Sequence, residues 1–276
     1  GFLPEQVGLY GRLTAKETLL FYGGFYNLKK EQTERRGKTL LAKLGLEKDS
    51  DRKVIEYSLG MKKRLALFGA TGGLGSEVHK KLSDEYDVIP LGSSDVDVTN
   101  FQEVKYFFGS ELDIDIVINL SGKKYDAFLH KIDHNDIEEI RKMVDVNIMG
   151  NINIMASCLP YMRETGWGRV ILISSIFSEL NVPKNSIYCS SKSFLDRFVS
   201  NANKENVRKG VTCNSIQLGY WDGGMFYDVP EDLQQRAINK IGLQRCGQIE
   251  ELVKTINFIV DTEYVAGTNL KIDGGM

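Results

Sequence analysis

The chain has little of what a secreted, membrane or metal-binding protein needs. Its four cysteines, Cys158, Cys189, Cys213 and Cys246, lie far apart with no Cys-x-x-Cys pair, which excludes a disulfide framework and a cysteine zinc site and points to a reducing compartment. Its three histidines, His79, His130 and His134, are too few and too badly spaced to hold a metal, so none is expected. No apolar run approaches the ~20 residues of a membrane span, and the first residues carry no signal-peptide pattern. The expectation is a cytoplasmic protein with no membrane partner. A net charge of -2 and a pI near 6.0 give no electrostatic reason to expect nucleic acid. A phosphate-binding Gly-x-x-x-x-Gly-Lys-Ser/Thr loop is also missing, so a P-loop ATPase is excluded.

What is present divides near Met61. In residues 1–60, Thr14-Ala15-Lys16-Glu17 fits a capping box followed by the apolar run Leu19 to Tyr22 and a stop at Gly23-Gly24. A second helix is expected from about Glu31 to Leu44, with Leu40, Leu41 and Leu44 on one face and Gly45 as its stop. From Met61 the texture changes to strands alternating with helices. The strands are expected at Arg64 to Phe68, Asp87 to Leu91, Asp95 to Thr99, Ile114 to Leu120, Arg169 to Ile173, Val211 to Gln217 and Asn269 to Ile272. One long helical stretch, from about Asp136 to Thr165, is expected to break near Asn147 to Asn151. This order predicts an α/β fold, a Rossmann-like doubly wound parallel sheet of about seven strands, preceded by a short helical segment.

Two stretches carry chemistry. Gly69-Ala70-Thr71-Gly72-Gly73-Leu74-Gly75 lies between a strand and a helix, where glycines let backbone approach a diphosphate and the helix start favours its charge. Tyr188 and Lys192 are four apart in a segment without Gly or Pro, so a helix puts phenol and ammonium on one face, with Ser175 at the end of the preceding strand. A cation within a few ångström is expected to draw the phenol down toward the range of proton exchange. Taken alone the spacing is weak, because Tyr26 and Lys30 repeat it in the N-terminal segment.

With the glycine turn, Asn119, Ser175, Tyr188 and Lys192 in this order, residues 61–276 resemble the short-chain dehydrogenase/reductase family, particularly its 3-oxoacyl reductases. The resemblance implies an NAD(P)-dependent oxidoreductase moving a hydride between a nicotinamide and a small-molecule carbonyl or acyl thioester, as a homodimer or homotetramer. It assigns Ser175 to hold the substrate oxygen and Tyr188 to give the proton. Lys192 would lower the Tyr pKa and bind the ribose, and Asn147, in Asp145-Val146-Asn147, would hold a relay water. Gly69, Thr71, Gly72, Gly73, Leu74 and Gly75 would bind the cofactor, together with Ser93, Ser94, Asp97, Val98, Asn119, Ser121, Gly122, Tyr188, Lys192 and Gly219. Asp273-Gly274-Gly275 is similar to the family's ending. Phe68, Leu120-Ser121 and Leu218 depart from its usual Thr, Asn-Ala and Pro, and only Leu218 bears on the site, through the shape of the turn beside the nicotinamide. NADP(H) is preferred over NAD(H) because Gly92-Ser93-Ser94 follow the second strand, where an NAD enzyme would carry an acidic residue. The wall of the substrate site is expected from Tyr220, Trp221, Met225 and Phe226.

Two other function classes compete with the reductase, an inactive nucleotide-binding scaffold and a sugar-nucleotide-modifying relative. The N-terminal segment, through Gly1-Phe2-Leu3-Pro4-Glu5, Gly8-Leu9-Tyr10, Leu13-Thr14-Ala15-Lys16-Glu17 and Tyr57-Ser58-Leu59-Gly60-Met61, is similar to the helical part of an ABC-transporter ATPase, but without a phosphate loop it cannot hydrolyse ATP alone. We read it as a mis-joined gene fragment. At the join, strand is expected to win over helix, because the sheet can bury Leu65 and Leu67. A chain beginning at Met61 should therefore keep its melting temperature and full activity, and the full chain should show no ATP hydrolysis. A large loss of stability on trimming, or ATP binding that needs Ser58 and Gly60, would overturn this.

Overall fold

The central strands are buried on both faces, as a parallel sheet covered by helices requires, and the helices bury one face each. The structure, a computed structural model, describes residues 13–26, 28–43, 50–51, 63–110, 113–227 and 229–276. It divides into two units, Gly1–Lys62 and Lys63–Met276.

In the first unit, helix α1 (Ala15–Phe25) opens with the expected capping box: Thr14 N donates to Glu17 Oε2 at 2.8 Å and Glu17 N to Thr14 Oγ1 at 3.1 Å. The helix does not stop at Gly23-Gly24. A Cβ on Gly23 would come within 2.6 Å of the Thr33 side chain, so this glycine allows close packing against α2 (Lys30–Lys43) rather than a turn. Leu41 is buried, whereas Leu40 points to solvent. Leu44, Gly45 and, of the stretches similar to an ABC ATPase, all but Leu13 to Glu17 lie outside the described residues.

The second unit is a parallel sheet with helices on both faces. Its strands are β1 (Arg64–Phe68), β2 (Asp87–Leu91), β3 (Ile114–Asn119), β4 (Gly168–Ser175), β5 (Val211–Leu218) and β6 (Asn269–Ile272), in the order β2-β1-β3-β4-β5-β6. Alternate residues face opposite layers. Ala66, Phe68, Val117, Val170, Leu172 and Cys213 pack with Val104 and Phe107 of α4 (Phe101–Ser110), Ile154 and Met155 of α6 (Gly150–Thr165) and Leu195 and Val199 of α7 (Ser186–Asn206). Leu65, Leu67, Ile116, Ile118, Ile171 and Ile216 pack with Val78 and Leu82 of α3 (Gly73–Leu82) and Leu252, Ile256 and Ile259 of α9 (Ile249–Asp261). Helices α5 (His134–Val144) and α6 are joined by one π turn, Asp145–Met149, at the expected break. The remaining helix, α8 (Glu231–Ile238), follows β5. Among the described residues, no helix is long and apolar enough to cross a membrane.

Among the described residues the sheet has six strands, where about seven were expected. Asp95 to Thr99 is a pair of turns, because two aspartates take backbone amides that a strand would need. Asp95 Oδ2 accepts from Gly92 N at 2.8 Å, and Asp97 Oδ1 from Thr99 N at 2.9 Å. Val96 and Val98 stay buried, so the alternation survives while the ladder does not.

At Gly75 the backbone of α3 lies so close to the Gly69 carbonyl that any Cβ would overlap it. Gly75→Ala should therefore destabilise the unit by about 3 kcal/mol, since overpacking against backbone cannot relax by a rotamer change. Gly72, where a Cβ makes only an ordinary 3.4 Å contact with the same carbonyl, should tolerate alanine far better. Urea unfolding of the two variants checks the contrast, and equal midpoints would refute it.

Candidate active site

Residues chosen for their chemistry in sequence meet at the C-terminal ends of β1, β3, β4 and β5. The strand order reverses between β1 and β3, so the chain leaves these two strands in opposite directions and opens a crevice there. The β1 turn enters left-handed at Gly69, with φ 77°, and a Cβ there would lie 2.6 Å from Ser121 N. Only glycine fits between the two strand ends. Gly72 caps α3 without a side chain, which leaves the first-turn amides of Gly73, Leu74 and Gly75 without an intrahelical acceptor. Gly224, from the loop after β5, comes to the same place: a Cβ on Gly73 would be 2.9 Å from its Cα. Ser93 and Ser94 are exposed past the end of β2. Thr71 packs its side chain on Gly92, the Asp97 carboxylate is turned onto Thr99, and the Val98 side chain is in the core.

A line of asparagines supports the site from below. Asn119 is buried; its Nδ2 donates to Asn151 Oδ1 at 2.8 Å, and its Oδ1 accepts from Ser121 N at 2.9 Å and Ser121 Oγ at 2.5 Å. Asn151 Nδ2 donates to the carbonyl of Asn147 at 2.8 Å, inside the π turn. The Asn147 side chain accepts from Lys123 N and donates to Lys123 O, each at 2.8 Å, and donates to Ser191 Oγ at 3.2 Å. Ser191 in turn donates to the carbonyl of Tyr188 at 2.7 Å. Strand β3, the π turn, the loop of residues 120–128 and helix α7 are thereby tied together. Asn151 and Ser191 were not singled out in sequence, although a polar residue four after Asn147 on an otherwise apolar helix face was the available signal.

Ser175, Tyr188 and Lys192 come together as expected, all buried. Ser175 Oγ lies 3.4 Å from the Leu218 carbonyl and accepts from Phe177 N at 3.3 Å. Lys192 Nζ donates to the Ile173 carbonyl at 2.9 Å and sits 5.8 Å from the centre of the Tyr188 ring. The electrostatics differ from expectation. Burial pushes the Tyr188 phenol up to about 12, only partly offset by the Ser175 hydroxyl beside it, and the Asp126 carboxylate pushes the same way. Burial, not the neighbouring ammonium, dominates the phenol; burial also pulls Lys192 down to about 8, and its hydrogen bond goes to Ile173.

Beside Tyr188 stands an aromatic wall. Phe177 meets the Tyr188 ring edge-on at 5.9 Å and Tyr220 at 6.2 Å, and Tyr220 lies 5.2 Å from Phe226. Trp221 is not part of it: its side chain is buried on the other side, in the core with Leu252 and Ile256, and a Cβ on Gly247 would lie 3.0 Å from its ring. The Met225 side chain lies outside the described residues. Phe177 came from the short turn after Ser175, where no pattern distinguished it in sequence. Strand β5 continues through Leu218, paired with Ile272 and Ser175, so no proline is needed to shape the chain before Gly219. Gly219 itself is dictated by Asp273, whose Cα would be 2.7 Å from a Cβ at that position.

A glycine turn at a topological switch point, beside a buried serine, tyrosine and lysine, defines the nicotinamide-dependent oxidoreductases of the Rossmann type. The family model described as enoyl-(acyl carrier protein) reductase matches residues 65–276, and the chain belongs to the short-chain dehydrogenase/reductase family as an NAD(P)-dependent enzyme. It is 26% identical to nodulation protein G of Azospirillum brasilense over 78% of this chain and 99% of that protein. It is 28% identical to carbonyl reductase family member 4 of Xenopus laevis, over 78% and 98%. Its fold is similar to the solved structure of ElxO with NADP bound, with a TM-score of 0.70 and 22% identity over 78% of this chain and 98% of that one. These comparisons lend no support to an ABC-ATPase identity for the N-terminal segment.

Proposed function

We propose that the chain reduces the carbonyl group of a small molecule with hydride from NADPH, using Ser175, Tyr188, Lys192 and Asn147. The carrying observation is that a serine hydroxyl, a buried phenol and a buried ammonium converge at the ends of β4 and α7, next to a helix start with open amides. The residues present fit the cofactor. Gly69, Thr71, Gly72, Gly73, Leu74 and Gly75 would take the diphosphate on the uncapped start of α3, where a Cβ on Gly73 would press on Gly224. Ser93 and Ser94 would donate to a 2′-phosphate, Asn119, Ser121, Gly122 and Gly219 would border the nicotinamide half, and Asp97 and the Val98 backbone would meet the rest. When bound, the nicotinamide supplies or accepts the hydride.

The protein's own part is proton handling and positioning. The Ser175 hydroxyl, which accepts from Phe177 N and lies 3.4 Å from the Leu218 carbonyl, can turn its proton to a substrate oxygen on which negative charge develops. Tyr188 stays protonated at neutral pH because burial disfavours the phenolate, so it acts as the acid that delivers the proton. Lys192, with one N–H on Ile173, has two left for a ribose hydroxyl and the tyrosine oxygen. Asn147 keeps the π turn in place and, in this reading, bounds a relay water. The substrate class we favour is a 3-oxoacyl thioester. Relatives named acetoacetyl-CoA reductase in Allochromatium vinosum, 29% identical, and 3-oxoacyl-[acyl-carrier-protein] reductase FabG in Thermotoga maritima, 28% identical, each over 59% of this chain and 66% of that protein, support it, and the Phe177, Tyr220 and Phe226 wall suits an apolar acyl chain. We place the enzyme in the cytoplasm as a homodimer or homotetramer.

With acetoacetyl-CoA and NADPH, Tyr188→Phe should lower kcat by about 10²–10⁴-fold, the range for losing a general acid, with cofactor affinity by fluorescence titration nearly unchanged. Lys192→Ala should damage both. The sign of the pH dependence follows from Lys192: it is charged below about 8 and neutral above, so the rate of reduction should fall as pH rises through that value. Most of the turnover surviving Tyr188→Phe would sink the assignment.

Cofactor choice is tested separately by kcat/KM with each dinucleotide. NADPH should win by about tenfold or more, equivalent to roughly 1.4 kcal/mol of preference for the phosphate. Equal or better efficiency with NADH would overturn the assignment of Ser93 and Ser94.

A further inference from the structure

Helix α7 carries a third buried polar residue on the Tyr188 and Lys192 face. Asp196 follows Lys192 by four positions, as Lys192 follows Tyr188, so the three form one stripe along the helix. Asp196 is only 8% exposed and Lys192 5%. A buried carboxylate is expensive unless it is paired and hydrogen-bonded. Two side chains of β5 supply the bonds: Ser215 Oγ lies 2.9 Å from Asp196 Oδ1, and Gln217 Nε2 donates to Asp196 Oδ2 at 2.8 Å. The same Gln217 nitrogen lies 2.9 Å from Ser178 Oγ and 3.1 Å from Glu179 Oε1, in the segment that follows Ser175 and carries Phe177. Hydrogen bonds are thus accounted for, but a counter-charge is not supplied by any of these neighbours.

We infer that Asp196 is a positioning residue for the reaction: its carboxylate, anchored on Ser215 and Gln217 one turn behind Lys192, supplies the negative charge that keeps the Lys192 ammonium in the site. The inference rests on the role given to Lys192 above. Asp196 touches neither the crevice nor Tyr188 and acts only through its neighbour. The groups around Lys192 leave no other candidate among the described residues. On its own helix stand Tyr188 and Cys189; the π turn offers the neutral Asn147 and β4 the neutral Ser174 and Ser175. Asp126, in the loop after β3, bears on Tyr188 instead, and Glu179 is already paired with Lys271 at 2.5 Å. Burial lowers Lys192, and Asp196 is the charge that opposes it.

Asp196→Asn removes the charge and keeps the bonds. The amide oxygen can accept from Gln217 and the amide nitrogen can donate to Ser215 Oγ, whose own proton then goes to Asn269 Oδ1, 2.9 Å away. The test is an NMR titration of full-length protein labelled at lysine Cε, with the Lys192 signal assigned by its loss in Lys192→Arg. The midpoint should fall by roughly one pH unit in Asp196→Asn, the scale of one lost charge at this range. It should stay near the parent value in Asp196→Glu, which covers the case that Asp196→Asn folds poorly. In turnover of acetoacetyl-CoA, the alkaline limb of kcat should shift down by the same amount, about tenfold less activity on that limb, with little change at pH 6. An unchanged Lys192 titration, or an equal loss of kcat at every pH, overturns the inference. Lys192→Ala, assayed alongside, separates the two failures: if it is inactive while the titration does not move, only the role of Asp196 falls. If it remains active, the reading of Lys192 falls and the role of Asp196 with it.

Discussion

The requirement that a buried amide side chain find partners holds this site together. Asn119, Asn151 and Asn147 are each buried, and each amide left unpaired would cost about 1–3 kcal/mol. Their hydrogen bonds run from the end of β3 across the start of α6 into the π turn, and from there through Lys123 and Ser191 to α7. The π turn is what lets one helical run serve two ends. The turn holds the Asn147 carbonyl on Asn151 while the Asn147 side chain reaches Lys123 and Ser191. The loop that borders the crevice is consequently fixed by side chains rather than by a strand ladder.

Much of this architecture was legible in sequence because the signals were local. Glycines at Gly69 and Gly75, the short apolar runs of β1 and β4, and the four-residue spacing of Tyr188 and Lys192 are each local features of a turn, strand or helix. What escaped was decided by distant partners. Gly23 reads as a helix stop until Thr33 is seen against it, and Trp221 reads as a wall residue until Gly247 and α9 are seen around it. The false strand at Asp95 to Thr99 has a different cause. Its alternation is real and its valines are buried, but aspartate side chains compete for the amides, and periodicity says nothing about where hydrogen bonds go. Asn151, Ser191, Asp196 and Gln217 went unnoticed for a common reason: a polar residue on a buried face has meaning only when its partner is known.

Electrostatics at the site are governed by the exclusion of water more than by pairwise attraction. Burial moves Tyr188 up and Lys192 down, and both shifts disfavour charge. The spacing of the two residues implied a phenol lowered by its neighbour, but spacing carries no information about solvation. Between neutral pH and about 8 the result is a neutral phenol beside a cation, the pair of states the proposed carbonyl reduction would use.

The same energetics argue against a scaffold that merely holds nucleotide. Bringing Lys192 down from 10.5 to about 8 corresponds to roughly 3 kcal/mol against folding. The sign is unambiguous: a lowered lysine pKa destabilises below the folded value, and the penalty fades only as pH rises from about 8 through 10.5. At neutral pH the fold therefore carries the full cost. An apolar side chain of similar length could fill the space between β4 and α7 without it, and would also relieve the need for a buried carboxylate at Asp196. A buried ammonium, whose bond to the Ile173 carbonyl offsets only part of that cost, is therefore a poor device for stability or for packing alone. It suits a fixed positive charge beside the phenol, as the proposed role of Lys192 requires.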